Sequence, residues 1–219
     1  FELTDEQGGF FCGQDADSEG VEGKYYVFTP DEIISVLGSH DGKRFNENFD
    51  ITKEGNFEGK SIPNLLMNKN PVQQPSEQEL QKLYDYRRNR TKLHKDDKIL
   101  TSWNGLMIAA LAKAARIWND ENSLSAAKKA CDFIQSKLTK ANGNLYVRYR
   151  EGESVGEGTI DDYAFYAWAL IELYESTFEL EYLEECIRIV EIIHSDFFDE
   201  RNGGCYLYGT EGEVLIQRP

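Results

Sequence analysis

Two apolar stretches about sixty residues apart constrain this chain more than any other feature: Trp103–Trp118, WNGLMIAALAKAARIW, and Tyr163–Tyr174, YAFYAWALIELY. Each is apolar on almost every side of a helix, the pattern of a helix covered all round. Each is followed, after a short turn, by a helix with a single apolar stripe. The stripes are Leu124, Ala127, Cys131, Ile134 and Leu138 in one case and Leu183, Cys186, Val190, Ile193 and Phe197 in the other. Their three-four spacing is the same. Each pair then ends in a glycine turn with an aromatic, Gly143-Asn144-Leu145-Tyr146 and Gly203-Gly204-Cys205-Tyr206. Self-similarity at such a period marks a repeat architecture.

Gly8-Gly9-Phe10-Phe11 is a third copy of the turn, and Glu22-Gly23 falls opposite Glu157-Gly158 without gaps. Helices covered on all sides alternating with helices wet on one side are what a double ring requires. The expected fold is therefore all-α, a partial α/α toroid with short β-hairpins in its connecting loops. The chain is read as one partial toroid domain over 1–219. Residues 1–23 form a turn and an acidic loop, 24–95 an insertion, and 96–219 two helical hairpins with their turns. Within the insertion Lys24–Phe28 reads as a strand, Thr29-Pro30-Asp31-Glu32 as a capping box with proline at the first helical position, and Ser76 as another helix start. The start at Phe1 and the end at Arg218-Pro219 are expected to be cuts from a longer chain.

A net charge of −15 argues against a nucleic-acid partner, which needs a basic face. No apolar run is long enough for a membrane span and the first residues carry no signal pattern, so a cytoplasmic protein, or one whose signal lies outside this sequence, is expected, without membrane partners. Cys12, Cys131, Cys186 and Cys205 form no CxxC pair, and reduced, buried thiols are expected rather than zinc or a disulfide framework.

Short turns join the first helix of each hairpin to the second, and long connections such as Thr139–Ile160 lead to the next hairpin. The long loops therefore gather where the first helices begin, and loops on a rigid scaffold are where function concentrates. That end carries Asp96-Asp97-Lys98, Asp161-Asp162 and the stretch DADSEG, Asp15–Gly20. Converging carboxylates with aromatic platforms suit glycoside chemistry, in which one acid protonates the leaving oxygen and another activates water or attacks. Asp17, Asp97 and Asp161 are the candidate catalytic residues. Asp15, Lys98, Trp103, Asn104, Tyr149, Asp162 and Tyr163 are candidates for substrate binding. The plainer readings stand beside these. Thr159-x-x-Asp162 is also a capping box, Asp96 and Asp97 can serve a helix dipole or pair with lysines, and Trp103 and Tyr163 can be core. No metal or other cofactor is expected. DADSEG copies the opening of a calcium loop, but Tyr26 stands where the bidentate carboxylate belongs. Gly55–Ser61 resembles a phosphate loop with one spacer residue too few and a repelling Glu58. The three histidines have no ligand-spaced partners, and His194 is read as structural.

The blocks GGFFCGQDADSEGVEGKYYVFTPDEI, GNFEGKSIPNLL, DDKILTSWNGLMIAALAKAARIW and TIDDYAFYAWALIELYESTF together resemble those of the thioredoxin-domain family typified by spermatogenesis-associated protein 20 and its bacterial YyaL-type relatives. The resemblance implies an N-terminal thioredoxin-like domain, followed by an (α/α)6 toroid similar to six-hairpin glycosidases and N-acylglucosamine 2-epimerases, of which this chain is a piece. Gln14 stands where many relatives have glutamate, and the Asp-Gly and Pro-Ser-Gly-Asn block that relatives place downstream is not in this sequence. Epimerase relatives use histidines on inner helices, and the two apolar helices here have none. Two functions are carried forward. One is a carbohydrate-active toroid, glycoside hydrolase-like or sugar epimerase-like. The other is a non-catalytic module that binds a glycan or a partner and supports the thioredoxin domain.

Overall fold

The computed structural model of the chain describes residues 2–68, 74–210 and 212. Its helices are α1 (Pro30–Leu37), α2 (Ser39–Asn48), α3 (Glu77–Arg90), α4 (Thr101–Trp118), α5 (Glu121–Phe133), α6 (Ile160–Thr177) and α7 (Leu180–Ile192). The chain divides into two compact units, Phe1–Gly13 with Asp96–Pro219, and Gln14–Lys95. The acidic loop, grouped above with the turn before it, clusters with the residues that follow it.

The larger unit is built on a repeat of 59 residues. That offset separates the start of α4 at Thr101 from the start of α6 at Ile160, and also Ile134 from Ile193, where α5 and α7 each widen into a final π turn. The three glycine turns close with a similar backbone hydrogen bond, from residue i to i+4 in the first two and to i+5 in the third. Asp5 N–H donates to Gly9 O at 2.7 Å, Lys140 N–H to Asn144 O at 2.7 Å, and Asp199 N–H to Gly204 O at 3.0 Å. Gly8, Gly143 and Gly203 return the chain with positive φ, a conformation in which a side chain would strain the backbone. An antiparallel sheet of Ile99–Leu100, Tyr146–Arg150 and Glu153–Glu157 leads into α4, with Ile99 opposite Tyr149 and Arg148 opposite Val155. The Thr101 hydroxyl ties the first turn of α4 to Tyr146 O at 2.6 Å.

The core lies between the hairpins. Ile108, Ala109 and Ala112 of α4 and Tyr166, Leu170 and Leu173 of α6 are buried with Cys131 and Phe133 of α5 and Cys186 and Ile189 of α7. Gly105 lets α4 and α6 approach closely: a Cβ there would lie 2.8 Å from the carbonyl carbon of Phe165. The expectation that both apolar helices are covered all round fails on one side of each. Trp103, Met107, Ile117 and Trp118 of α4 and Trp168 and Ile171 of α6 are exposed. The cause is geometric: each packs against its own hairpin partner and against the other, and no described residue covers the remaining face. Val190 also departs from the expected buried stripe. The buried positions of α7 are Tyr182, Cys186 and Ile189, so Val190 joins Leu180 and Ile187 on an open side.

The smaller unit packs Phe28, Ile33, Phe45, Ile51 and Leu83 together. Capping boxes open α1 at Thr29–Glu32 and α3 at Ser76–Glu79, satisfying backbone donors that would otherwise lack partners. Lys24–Phe28 is not a strand. Tyr26 and Val27 N–H both donate back to Gly23 O in a turn, and Phe28 alone bridges to Ser61. Tyr25, Val27 and Phe28 are all buried, so the apolar residues serve the core without the alternation a half-covered strand needs. DADSEG is a tight hairpin: Asp17–Ser18 pairs with Val21–Glu22 across Glu19-Gly20, both at positive φ as a type I′ turn requires.

No described helix is long and apolar enough to cross a membrane. All four cysteines are free thiols. Cys131 and Cys186 are buried, and Cys205 is exposed. Burial pushes the Cys131 thiol up to about 12, which suppresses the reactive thiolate. In the native protein iodoacetamide should therefore modify Cys205 first and leave Cys131 untouched until denaturant is added, as read by mass spectrometry. Native labelling of Cys131 at a comparable rate would contradict this packing.

Candidate functional site

The polar end of the larger unit, where α4 and α6 begin, is organised by one carboxylate. Asp162 is the third residue of α6, and its Oδ2 accepts from the N–H of Thr159 at 2.8 Å and from its hydroxyl at 3.0 Å, forming a capping box. Its Oδ1 accepts from the N–H of Ser102 at 2.9 Å, in the first turn of α4. α4 has no side-chain cap of its own, so one residue closes two helix starts. Asp162 is 1% exposed. Burial pushes its carboxyl above the usual range, opposed by the hydrogen bonds from Thr159 and Ser102.

The Ser102–Asp162 bond also places two other candidates. Trp103 follows Ser102 and Asp161 precedes Asp162, so an indole that is 56% exposed and an exposed carboxylate flank a 2.9 Å contact between the helix starts. The preceding sheet adds charged groups. Pairing of Ile99 with Tyr149 brings Arg150 to Asp97, with Nε 2.7 Å from Oδ1, and Lys98 Nζ lies 2.5 Å from Asp96 Oδ1. The hydrogen bond from Lys98 holds the Asp96 carboxyl below its usual range. Tyr149 is half-buried and meets Phe133 edge to face, with centroids 5.2 Å apart.

Asn104 and Tyr163 differ from the expectation of sugar contacts. They occupy the fourth position of α4 and α6, and each binds the backbone just after a glycine turn. Asn104, 1% exposed, accepts from Phe10 N–H at 2.8 Å and donates to Phe10 O at 3.0 Å and Leu100 O at 2.9 Å. Tyr163 Oη accepts from Leu145 N–H at 2.9 Å, and its ring packs on Phe197. Asp162, too, has both oxygens engaged by helix starts. These three polar groups are committed to the fold.

Asp15 and Asp17 lie in the other unit, on the acidic hairpin. Both are exposed, and Asp15 Oδ1 accepts from the Asp17 N–H at 3.1 Å. Glu19 pairs with Lys24 and accepts from the Thr91 hydroxyl at 3.3 Å. The hydrogen bond from Lys24 holds its carboxyl below the usual range.

A groove of about 780 Å³ lies elsewhere on the larger unit, bordered by Asp132, Lys140, Gly143, Tyr182, Glu185 and Arg188. None of the candidate acids lines it. Arg188 is engaged there, donating to both Glu185 oxygens and to Gly143 O at 2.8 Å. Sequence reasoning missed Ser102 and Arg150. Neither lies in a motif, and only the strand register and the approach of α6 bring them to the site.

No family model matches the chain. It is 25% identical to mouse spermatogenesis-associated protein 20, over an alignment that takes in 99% of this chain and 33% of the relative. An uncharacterized protein of Caenorhabditis elegans is 29% identical, with 98% of this chain and 35% of the relative covered. The chain thus spans about a third of the length of the curated relatives it matches. Among solved structures, cellobiose 2-epimerase from Bacillus thermoamylovorans superposes with a TM-score of 0.50 at 12% identity, covering 94% of this chain and 54% of that one. That is a likeness of fold. Over nearly its whole length, the chain is a homologue of one third of the proteins named spermatogenesis-associated protein 20.

Proposed function

We propose that the chain is an arc of an (α/α)6 toroid that binds carbohydrate at the end where α4 and α6 begin. The observation that carries this reading is that the exposed Trp103 and the exposed Asp161 are the sequence neighbours of Ser102 and Asp162, whose hydrogen bond joins the two helix starts. An indole face takes up the apolar C–H face of a sugar ring, and a neighbouring carboxylate accepts its hydroxyls. The fold likeness to a cellobiose 2-epimerase supports the ligand class. Hydrolysis would assign Asp161 and Asp97 to acid, base or nucleophile, without Asp17, which belongs to the other unit. The ion pairs of Asp96 with Lys98 and of Asp97 with Arg150 favour the second reading, binding without turnover, because both carboxylates are already engaged by cations of the fold. In either case we read the module as part of a longer cytoplasmic protein with a thioredoxin-like domain, a reading supported by the resemblance to thioredoxin-domain proteins.

A panel of oligosaccharides and chromogenic glycosides tests this with the parent chain, Trp103→Ala, Asp161→Asn and Asp97→Asn. Trp103→Ala should weaken binding roughly threefold to tenfold, the worth of about one stacked ring. Turnover lost in Asp161→Asn or Asp97→Asn with binding retained would support the hydrolase, and binding without turnover the module. Equal affinity of parent and Trp103→Ala for every ligand would remove the proposed site.

A further inference from the structure

We propose that the groove between α5 and α7 binds an organic oligoamine, a chain carrying two or more ammonium groups. Both walls lie within the larger unit and belong to consecutive hairpins, so the groove does not depend on what covers the open faces of α4 and α6. One side is fixed in advance. Arg188 donates to Glu185 Oε2 at 2.7 Å, to Glu185 Oε1 at 2.6 Å and to Gly143 O at 2.8 Å, which ties α7 to the turn after α5. Lys140 is paired with Glu157. The cations of the groove are thus engaged internally. Asp132 on one wall and Glu181 and Glu184 on the other form no ion pair or hydrogen bond with a described residue. Like charges on facing walls repel, and a cation lying between them removes that cost. No three carboxylates, thiols or imidazoles among the described residues are grouped closely enough to hold one metal ion, so a cation that answers this charge must be extended.

Tyr182 points to a ligand independently of the charge. It is 5% exposed and lines the groove, yet its hydroxyl hydrogen-bonds to no described residue, where a buried tyrosine ordinarily finds a partner. The hydroxyl is not fully buried, so it is the part of the side chain that opens on the groove. Burial, and then the negative charges nearby, Asp132 and Glu181 among them, push its pKa up. It therefore keeps its proton and offers a lone pair to an ammonium N–H. The repeat shows that the scaffold does not need these groups. A Cβ at Gly8 would strike Lys129 just as one at Gly143 would strike Arg188, and Lys129 and Arg188 are the same position of the 59-residue repeat. At that earlier contact the places of Glu181, Tyr182, Glu184 and Glu185 are taken by Asn122, Ser123, Ser125 and Ala126. The same packing is made there with no acid and no aromatic at the four positions. This site is independent of the carbohydrate reading.

Calorimetric titration of the 219-residue chain with spermidine at physiological salt tests this, with butylamine as the single-charge comparison. The parent should bind one equivalent of spermidine, and butylamine at least about tenfold more weakly. Asp132→Asn and Glu184→Gln should each weaken spermidine about fivefold, the worth of one charged contact. Tyr182→Phe removes only an oxygen that no described residue engages, so its urea midpoint should match the parent while spermidine binds about threefold more weakly. Glu200→Gln removes the same charge from an exposed site outside the groove and should bind as the parent does. Equal losses in Glu200→Gln and Glu184→Gln would reduce the effect to diffuse attraction by an acidic chain and overturn the proposal. So would parent-like affinity in Tyr182→Phe, or no binding of spermidine.

Discussion

Gly105→Val is expected to destabilise the larger unit by about 3 kcal/mol, the upper range for forcing bulk into a packed interior. A Cβ at this position lies 2.8 Å from the carbonyl carbon of Phe165, 2.9 Å from its oxygen and 2.9 Å from the nitrogen of Tyr166. All three are backbone atoms of α6, so no rotamer change relieves the clash and the helices must separate. The separation also opens Ile108, Ala112, Leu170 and Leu173, which are fully buried. Gly105→Ala should cost less, because alanine regains about 1 kcal/mol of helix propensity. Urea unfolding followed by tryptophan fluorescence measures both. An unchanged midpoint in Gly105→Val would mean that α4 and α6 do not cross so closely.

Asp162→Ala should cost a similar amount, about 3 kcal/mol. It removes a capping box worth roughly 1 kcal/mol. It also leaves the N–H groups of Thr159 and Ser102 without their acceptor, at about 1 kcal/mol or more each where water is excluded. The pH dependence has a defined sign. Because burial raises the folded-state carboxyl above its unfolded value, the folded state holds the proton more tightly than the unfolded one. The contribution of this group is therefore greatest below the ordinary carboxylate range and is lost as pH rises through the raised value. Asp162→Asn should abolish that part of the slope, read as the difference between parent and variant in urea midpoint against pH. A parent and variant with parallel profiles would contradict the burial of an ionisable group there.

Much of the architecture was legible because local chemistry and periodicity agreed. The capping boxes at Thr29, Ser76 and Thr159 need only residues three apart, and the hairpin repeat needs only the spacing of apolar residues. A hydrophobic pattern says that a face avoids water, however, and not what covers it. The exposure of Trp168 and Met107 was therefore hidden. The site was legible in its location and less so in its roles. Asn104 and Tyr163 read as candidates for substrate binding, but their partners, Phe10 and Leu145, are set by how the hairpins stack. Asp162 read both as a substrate contact and as a cap, and its second bond to Ser102 depends on an approach between helices that are sixty residues apart in sequence. Lys24–Phe28 misled because an apolar, aromatic run fits a strand as well as a buried turn.

A two-dimensional 1H–15N spectrum of the 219-residue chain, titrated with cellobiose and a panel of related oligosaccharides, tests the central claim most directly. The account predicts that shifts cluster at the Trp103 indole and backbone, at Ser102, and at Asp161 and Asp162, with weaker changes at Asp97 and Arg150. Shifts confined to the groove around Tyr182 and Arg188, or none with any sugar of the panel, would contradict it.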